Sequence, residues 1–184
     1  MATVMGVPQT DADNDGVGTL PWTVNTGLTS FAYADDSFVD TAQIIAGSGQ
    51  THYLFQTNYT NFSTIPEGAT INSITLDLTR FYSGMAAGSV KDAVIDLIVE
   101  GVVVGSNKAD TITAWPITDG VAQYVWNTKL PTRDQVASSA FGIAISATLN
   151  NTGGSGYIIA DVDYAPVTID YTPASTFKPI TVFF

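Results

Sequence analysis

The residues of this sequence that could do chemistry begin with a run of acidic side chains near the N-terminus. Asp11, Asp13 and Asp15 alternate with other residues and Gly16 follows, which is the spacing of the first oxygen ligands in a calcium loop. The bidentate glutamate that closes such a loop is missing, because Trp22 stands at its position. A distant carboxylate could complete a calcium site at the three aspartates, but without the closing glutamate the expectation is that the chain holds no cofactor. The alternative is a solvated acidic loop.

Residue types that serve catalysis are sparse and form no motif. His52 is the single histidine, and no Gly-x-Ser-x-Gly elbow accompanies it for a serine-histidine-aspartate triad. Asp161 and Asp163 lie two residues apart and are candidates for a glycosidase carboxylate pair, but no second motif supports that chemistry. Asp92 and Asp96 are interpreted as part of a polar outer strand face. We therefore expect no enzymatic activity, no catalytic residues and no cofactor-binding residues.

Three tryptophans offer another kind of site. Trp22, Trp115 and Trp126, together with eight tyrosines, could form a platform on which sugar rings stack. The alternative is packing in the core and in loops, because large aromatic side chains bury much apolar surface. Trp115 directly precedes Pro116 and is interpreted as a loop plug.

Composition excludes several classes of partner. The chain has 184 residues, with 17 acidic and 6 basic side chains and a net charge of −11. The basic residues are scattered, so we expect no nucleic-acid binding and no electrostatic binding to an anionic membrane. There is no cysteine, which excludes disulfides and disfavours zinc. No apolar run is long enough for a transmembrane helix, and the N-terminus lacks signal-peptide features, which predicts synthesis and folding in a cytoplasm.

Hydrophobic alternation predicts how these residues are positioned. Ile74, Leu76 and Leu78 fall on one side of a strand whose other side is polar. Similar patterns predict eight to ten strands, and Thr132 with Gln135 has the spacing of a capping box for one or two helical turns. The predicted strands cover residues 38–45, 50–58, 70–82, 90–99, 102–104, 121–126, 141–147, 157–162 and 167–171. The expected fold is an antiparallel β-sandwich of the jelly-roll type.

The two ends of the chain differ from its middle. Residues 1–34 are poor in large apolar side chains and are interpreted as an extended arm or loop, residues 35–172 as the sandwich, and residues 173–184 as a tail beyond Pro173. Five of the last eight residues are Phe, Ile or Val, and such a tail aggregates unless something covers it. Its cover is either its own domain or a neighbour. The predicted partner-binding residues are Phe177, Ile180, Val182, Phe183 and Phe184.

Short pieces of the sequence, in order and spacing, resemble a jelly-roll module of tailed-bacteriophage virion proteins. The resemblance spans about residues 22–172. The matching pieces are Trp22, residues 34–38, 65–71, 90–92 and 101–109, Trp115-Pro116, Trp126, and residues 139–144 and 167–172.

The resemblance implies a virion structural protein without shared catalytic residues. Members of that group occur as capsid decoration (cement) proteins, head fibres and tail or baseplate parts. The leading interpretation is a decoration protein, expected to be a homotrimer that binds the major capsid protein or other virion proteins on the capsid exterior. The alternatives are a glycan- or receptor-binding fibre module and a tail or baseplate structural component.

Overall fold

The computed structural model describes residues 1–24, 40–104 and 106–175, which form an all-β fold with antiparallel strand pairs. A 3₁₀-helix, Phe62–Thr64, precedes β6, and a one-turn helix α1, Arg133–Val136, precedes β10. The strands in chain order are β1 (Ala2–Gly6), β2 (Thr10–Asn14), β3 (Asp40–Ile44), β4 (Gly47–Gln50), β5 (Tyr53–Thr57), β6 (Thr70–Gly84), β7 (Gly88–Val99), β8 (Val102–Val103), β9 (Gly120–Trp126), β10 (Gly142–Asn151), β11 (Ile158–Tyr164) and β12 (Val167–Thr172).

The strands divide into two six-stranded sheets that enclose one hydrophobic core. In the first, the β6 sheet, β9 lies along one side of β6, and β11 and β12 follow each other along the other side. β3 flanks β11 and β1 flanks β12. In the second, the β10 sheet, β4 and β5 follow each other along one side of β10 and β7 lies along the other. β2 flanks β5 and β8 flanks β7. The prediction of an antiparallel β-sandwich is confirmed.

The β6 strand shows why the chain folds this way. Ile74, Leu76 and Leu78 are fully buried, whereas Ser73 and Asp77 on the other face are half-buried. Burying each of these aliphatic side chains contributes about 1.5–3 kcal/mol, so the alternation selects which face turns inward. A one-residue slip would expose all three, which pins the register of the strand.

The N-terminal segment differs from its predicted role as an arm. Residues 2–6 form β1 on β12 and residues 10–14 form β2 on β5, so the segment adds one strand to each sheet. Only Val4 packs a sizeable apolar side chain of β1 against the core. Edge strands need little apolar content, because their outer side remains in water, and composition alone therefore suggested a loop. The predicted boundary at residue 35 is wrong for residues 2–14, and residues 25–39 lie outside the described ranges.

Other local predictions are confirmed with adjusted bounds. Thr132 Oγ1 accepts a hydrogen bond from Gln135 N at 3.3 Å, and Gln135 Oε1 accepts one from Thr132 N at 2.9 Å, which completes the capping box of α1. Residues 47–49, which lie between the predicted strands 38–45 and 50–58, form most of β4, and the strand breaks at Thr51, whose hydroxyl accepts a hydrogen bond from Ala147 N at 2.9 Å, before β5 begins. This break and the two N-terminal strands account for the larger number of strands.

Candidate functional site

Asp11 and Asp13, weighed as calcium ligands, lie in strand β2, and Asp15 lies in the turn that follows it. Alternate residues in a strand are about 6.8 Å apart along its axis, whereas a calcium loop curls its ligands around one point. The carboxylates of Asp11 and Asp13 make separate contacts, and Asn14 Oδ1 accepts a hydrogen bond from Gly16 N at 3.1 Å. In the described ranges, Asp11, Asp13 and Asp15 belong to no group of three or more acidic, histidine or cysteine side chains arranged to hold a cation.

Asp13 instead joins His52 and Trp22, which were predicted as unrelated candidates. Asp13 Oδ1 accepts a hydrogen bond from Trp22 N at 2.8 Å, and Asp13 Oδ2 lies 3.0 Å from His52 Nδ1. Trp22 Nε1 donates to the carbonyl oxygen of His52 at 2.9 Å, and His52 N donates to Leu20 O at 2.7 Å. The cluster fastens the segment after β2 to the junction of β4 and β5, so the role of His52 here is structural.

Asp11 projects between the two sheets into a setting that disfavours its charge. It lies directly opposite Gln56 on β5, hydrogen-bonds to that side chain, and is close to Asp40 of the β6 sheet. Burial, with a smaller contribution from the charge of Asp40, raises the pKa of Asp11 to about 7. Asp11 Oδ1 and Gln56 Oε1 are both buried acceptors without a hydrogen-bond donor. A protonated Asp11 can donate a hydrogen bond that the ionised form cannot.

We expect Asp11→Asn to stabilise the protein at pH 8 but not at pH 4. The folded pKa of about 7 lies above the ordinary value of 3.8, so the stability that Asp11 contributes is full below pH 3.8 and is lost as pH rises through 7. The full shift corresponds to about 4 kcal/mol, and partial exposure reduces the expected gain to about 2 kcal/mol. Urea unfolding at both pH values measures it, with the exposed Asp15→Asn as control. An equal effect of Asp11→Asn at both pH values would contradict the assignment.

The largest polar cluster in the core was missed by sequence reasoning. Arg80 of β6 and Asp92 of β7 form a salt bridge between the two sheets, and both are almost fully buried. Asp92 also accepts hydrogen bonds from Trp115 Nε1 at 2.7 Å, Tyr124 OH at 2.7 Å and Asp110 N at 2.9 Å. The Arg80 guanidinium lies 4.9 Å from the ring centre of Trp115 and 5.8 Å from that of Tyr124. Burial raises the pKa of Asp92, and Arg80 and the donated hydrogen bonds act against that rise.

The interpretation of Asp92 and Asp96 as an outer polar face is therefore wrong. Asp92 is 1% exposed and Asp96 is 2% exposed. The carboxylate of Asp96 accepts hydrogen bonds from Leu97 N at 2.8 Å and from Ser106 N at 2.9 and 3.0 Å. These bonds hold the segment after β8 against β7, so both aspartates position other parts of the fold.

The remaining candidates also have structural roles. Trp22, Trp115 and Trp126 are each at most 4% exposed, and the indole N–H of Trp126 donates to Ser106 O at 3.2 Å, so their packing interpretation is confirmed. Asp161 is buried and accepts a hydrogen bond from Ser83 Oγ at 2.7 Å, and burial raises its pKa. Asp163 is also buried, whereas a glycosidase pair must flank a bound sugar.

Exposed apolar side chains are concentrated on one side of the sandwich. There β8 ends the β10 sheet and β9 ends the β6 sheet, and the indole N–H of Trp126 in β9 donates to Ser106 O in the segment after β8. We call this surface the β8–β9 side. It holds six of the ten large hydrophobic side chains that are exposed in the described ranges: Val102, Val104, Ile112, Ile117, Val121 and Val125. Exposed apolar groups of this kind mark surfaces that bind other proteins.

The tail residues predicted to bind a partner, Phe177 to Phe184, lie outside the described ranges, which end at residue 175.

Within those ranges no helix is long and apolar enough to cross a membrane. Two depressions of about 370 and 390 Å³, beside α1 and across β4, β7 and β10, are lined by polar and charged residues. Comparison with known proteins gives no match: no family model, curated protein or solved structure is significantly similar to the chain.

Proposed function

We propose that this protein is a capsid decoration, or cement, protein of a tailed bacteriophage, and that its sandwich is a jelly roll. The observation that carries the proposal is the order of the strands. β3 pairs with β11, β5 with β10, β6 with β9, and β7 with β8, as in one long antiparallel ribbon. The ribbon is folded so that β6 also meets β11 and β7 also meets β10. A ribbon rolled up in this way is the arrangement expected of a jelly roll.

The residues behind the resemblance to phage virion proteins support a mechanical role. Ile65, Phe141, Trp115 and Trp126 belong to the matching pieces, and each is at most 2% exposed. The large aromatic and aliphatic side chains that the chain shares with that module thus lie in the interior of the sandwich. A rigid domain of this kind suits a protein that transmits mechanical load between subunits.

The proposed mechanism is adhesion. The acidic body sits on the outer surface of the head, away from packaged DNA, and contacts the major capsid protein. The copies associate as a homotrimer, and the tail with Ile180, Val182 and Phe184 adds a strand to the edge of a neighbouring sheet. Asp13 with His52, Asp92 and Asp161 make contacts that hold parts of the fold together, which suits a mechanical role.

A glycan-binding fibre module would need aromatic rings that are open to a sugar. Because Trp22, Trp115 and Trp126 are buried, this alternative lacks the platform on which it depended. A tail or baseplate component requires the same body and the same adhesive edges as a decoration protein. The position in the particle distinguishes a tail or baseplate component from a decoration protein.

A cryo-EM map of the virion that carries this protein tests the proposal directly. We expect density for the sandwich on the outside of the head at regular positions of the capsid lattice. Density confined to the tail or baseplate would replace the decoration assignment with the alternative, and absence from the particle would overturn both.

Deleting residues 176–184 is expected to abolish or strongly weaken binding to heads that lack the protein. The deletion leaves the described body intact and removes the apolar segment that is proposed to tie subunits together. Co-sedimentation with such heads measures binding. A matched control carries nine residues of a glycine-serine linker in place of the tail, and it should fail as the deletion does. Undiminished binding of both variants would contradict a role for the tail.

A further inference from the structure

Among residues 1–24, 40–104 and 106–175, the sheet edges are protected with one exception. In the described ranges, β3 is covered by backbone hydrogen bonds from Thr23, β4 by those from Leu20, and β1 by the side chain of Asn61. β2 carries the carboxylates of Asp11 and Asp13, and β8 is only two residues long. Covering, charge and shortness are the devices that keep edge strands from pairing with other chains. They leave β9 as the exception.

Within the part of the chain that the structure describes, β9 has none of these protections. It is seven residues long, Gly120–Trp126, and contains neither a charged residue nor a proline. One side pairs with β6 along the whole strand, and no backbone hydrogen bond within the described ranges joins its other side to another segment. Val121 and Val125 are 70% and 41% exposed on its outer face. Alternate N–H and C=O groups of β9 therefore point outward beside apolar side chains, which is a template for an added strand.

We propose that the outer edge of β9 binds residues 180–184 of a neighbouring copy of this chain as an added antiparallel strand. This inference rests on the proposed role of the tail and names the edge that receives it. The segment has β-branched and aromatic residues, has no proline, and follows Pro179. Its backbone can pair with β9, and its apolar side chains extend the row formed by Val121 and Val125.

Charge favours the tail over a second β9 as the occupant. Lys178 is the only charged side chain after residue 172, in a chain with a net charge of −11. Asp119 is exposed directly before β9, and Asp77, which accepts a hydrogen bond from Gln123 Nε2 at 2.8 Å, lies beside it on β6. The tail therefore brings no acidic side chain to the two carboxylates at this edge. Two β9 strands pairing with each other would instead bring four of these carboxylates together.

Chain connections favour a neighbouring copy over the same copy. The described chain leaves β12 at Thr172, opposite Thr70 at the start of β6, and β9 lies on the far side of β6. To reach its own β9, the tail would have to cross both the turn that enters β6 and residues 127–132, which leave β9 at the same end. Connections rarely cross each other at one edge of a sheet.

Donation from each copy to the next is a heterologous contact, which closes into a ring when the rotation permits. A closed trimer needs only that the rotation between neighbours be a third of a turn. The same contact would cover both the apolar tail and the open edge in every copy.

Two variants, each lacking one half of the contact, test the inference. The double substitution Val121→Lys/Val125→Lys places charges on the outer face of β9 at exposed positions and keeps the tail. Deletion of residues 176–184 removes the tail and keeps β9. We expect the wild type to be oligomeric by sedimentation velocity and each variant to be monomeric, with a mass near 19.4 kDa for the β9 variant. Mixing the two should produce a one-to-one heterodimer, because the intact tail of one fits the intact β9 of the other.

Val102→Lys/Ile112→Lys is the matched control, because both residues are exposed on the β8–β9 side but lie outside β9. It should keep the wild-type mass, and thermal melts should show that all variants fold. Gln123→Lys serves as a second β9 variant if the double one is unstable. Monomeric wild type, or oligomers of the tail-deleted protein, overturn the inference. If the tail deletion dissociates the oligomer but the β9 variants do not, the tail keeps its proposed adhesive role and β9 is excluded as its binding site. If the mixture stays monomeric, pairing between copies is excluded.

Discussion

The Asp92→Asn variant is expected to unfold with a free energy about 3–5 kcal/mol below that of the wild type. The substitution leaves Arg80, which is 6% exposed, as a buried cation whose counter-charge is gone. The hydrogen bonds from Trp115 Nε1, Tyr124 OH and Asp110 N also lose a charged acceptor. Because these groups come from both sheets and from the loop between them, the loss loosens the contact that joins β6, β7 and β9.

Urea unfolding at neutral pH measures this effect. Asp134→Asn is the matched control, because Asp134 pairs with Arg133 at 3.1 Å on the surface and such pairs contribute about 0–1 kcal/mol. The double variant Arg80→Met/Asp92→Leu should be less destabilised than the sum of its single substitutions, since no charge remains buried alone. A loss below about 1 kcal/mol for Asp92→Asn would show that the salt bridge is solvated and does not hold the sheets together.

This cluster also shows where sequence reasoning stops. Asp92 lies two residues after Val90, so the alternation of the strand places both side chains on the same inward face. A carboxylate without a recognisable partner nevertheless favoured the outer face. Its burial depends on Arg80, Trp115 and Tyr124, which lie 12, 23 and 32 residues away. No local pattern indicates that these partners meet. The same limit applies to Asp13 and His52, which are 39 residues apart.

Strand prediction succeeded where the signal is local. The pleat of a strand places alternate side chains on one face, so Ile143, Ile145 and Ala147 marked β10 before any partner strand was known, and all three are fully buried. It failed at β1 and β2, where pairing with β12 and β5 outweighs weak intrinsic preference. The apolar tail could be recognised from sequence for the same local reason. Its proposed acceptor could not, because an open edge is a property of the assembled sheet.

The Phe141→Ala variant is expected to lose about 3–5 kcal/mol of stability, which is the usual cost of truncating a buried phenylalanine. The ring of Phe141 packs edge-on against Phe62 at 5.8 Å between centroids and is tilted against Tyr59 at 6.2 Å. Phe62 and Tyr59 stack at 5.5 Å, and Tyr59 OH donates to Ala165 O at 3.1 Å, at the break between β11 and β12. One ring thus joins β10 to the connection before β6 and, through Tyr59, to the last strands.

Thermal and urea unfolding of Phe141→Ala measure this loss, and Phe55→Ala is its matched control. Phe55 is also on the β10 sheet but is half-buried and contacts only Tyr53 among the rings described, at 5.7 Å, so its truncation should cost about 1 kcal/mol. Tyr59→Phe keeps the stacked ring and removes the hydroxyl, which separates the hydrogen bond, worth about 1 kcal/mol, from the packing. If Phe141→Ala cost no more than Phe55→Ala, the aromatic cluster would not be a fixed part of the core. In that case the buried side chains that resemble those of phage virion proteins would not provide the rigidity that the proposed adhesive role requires.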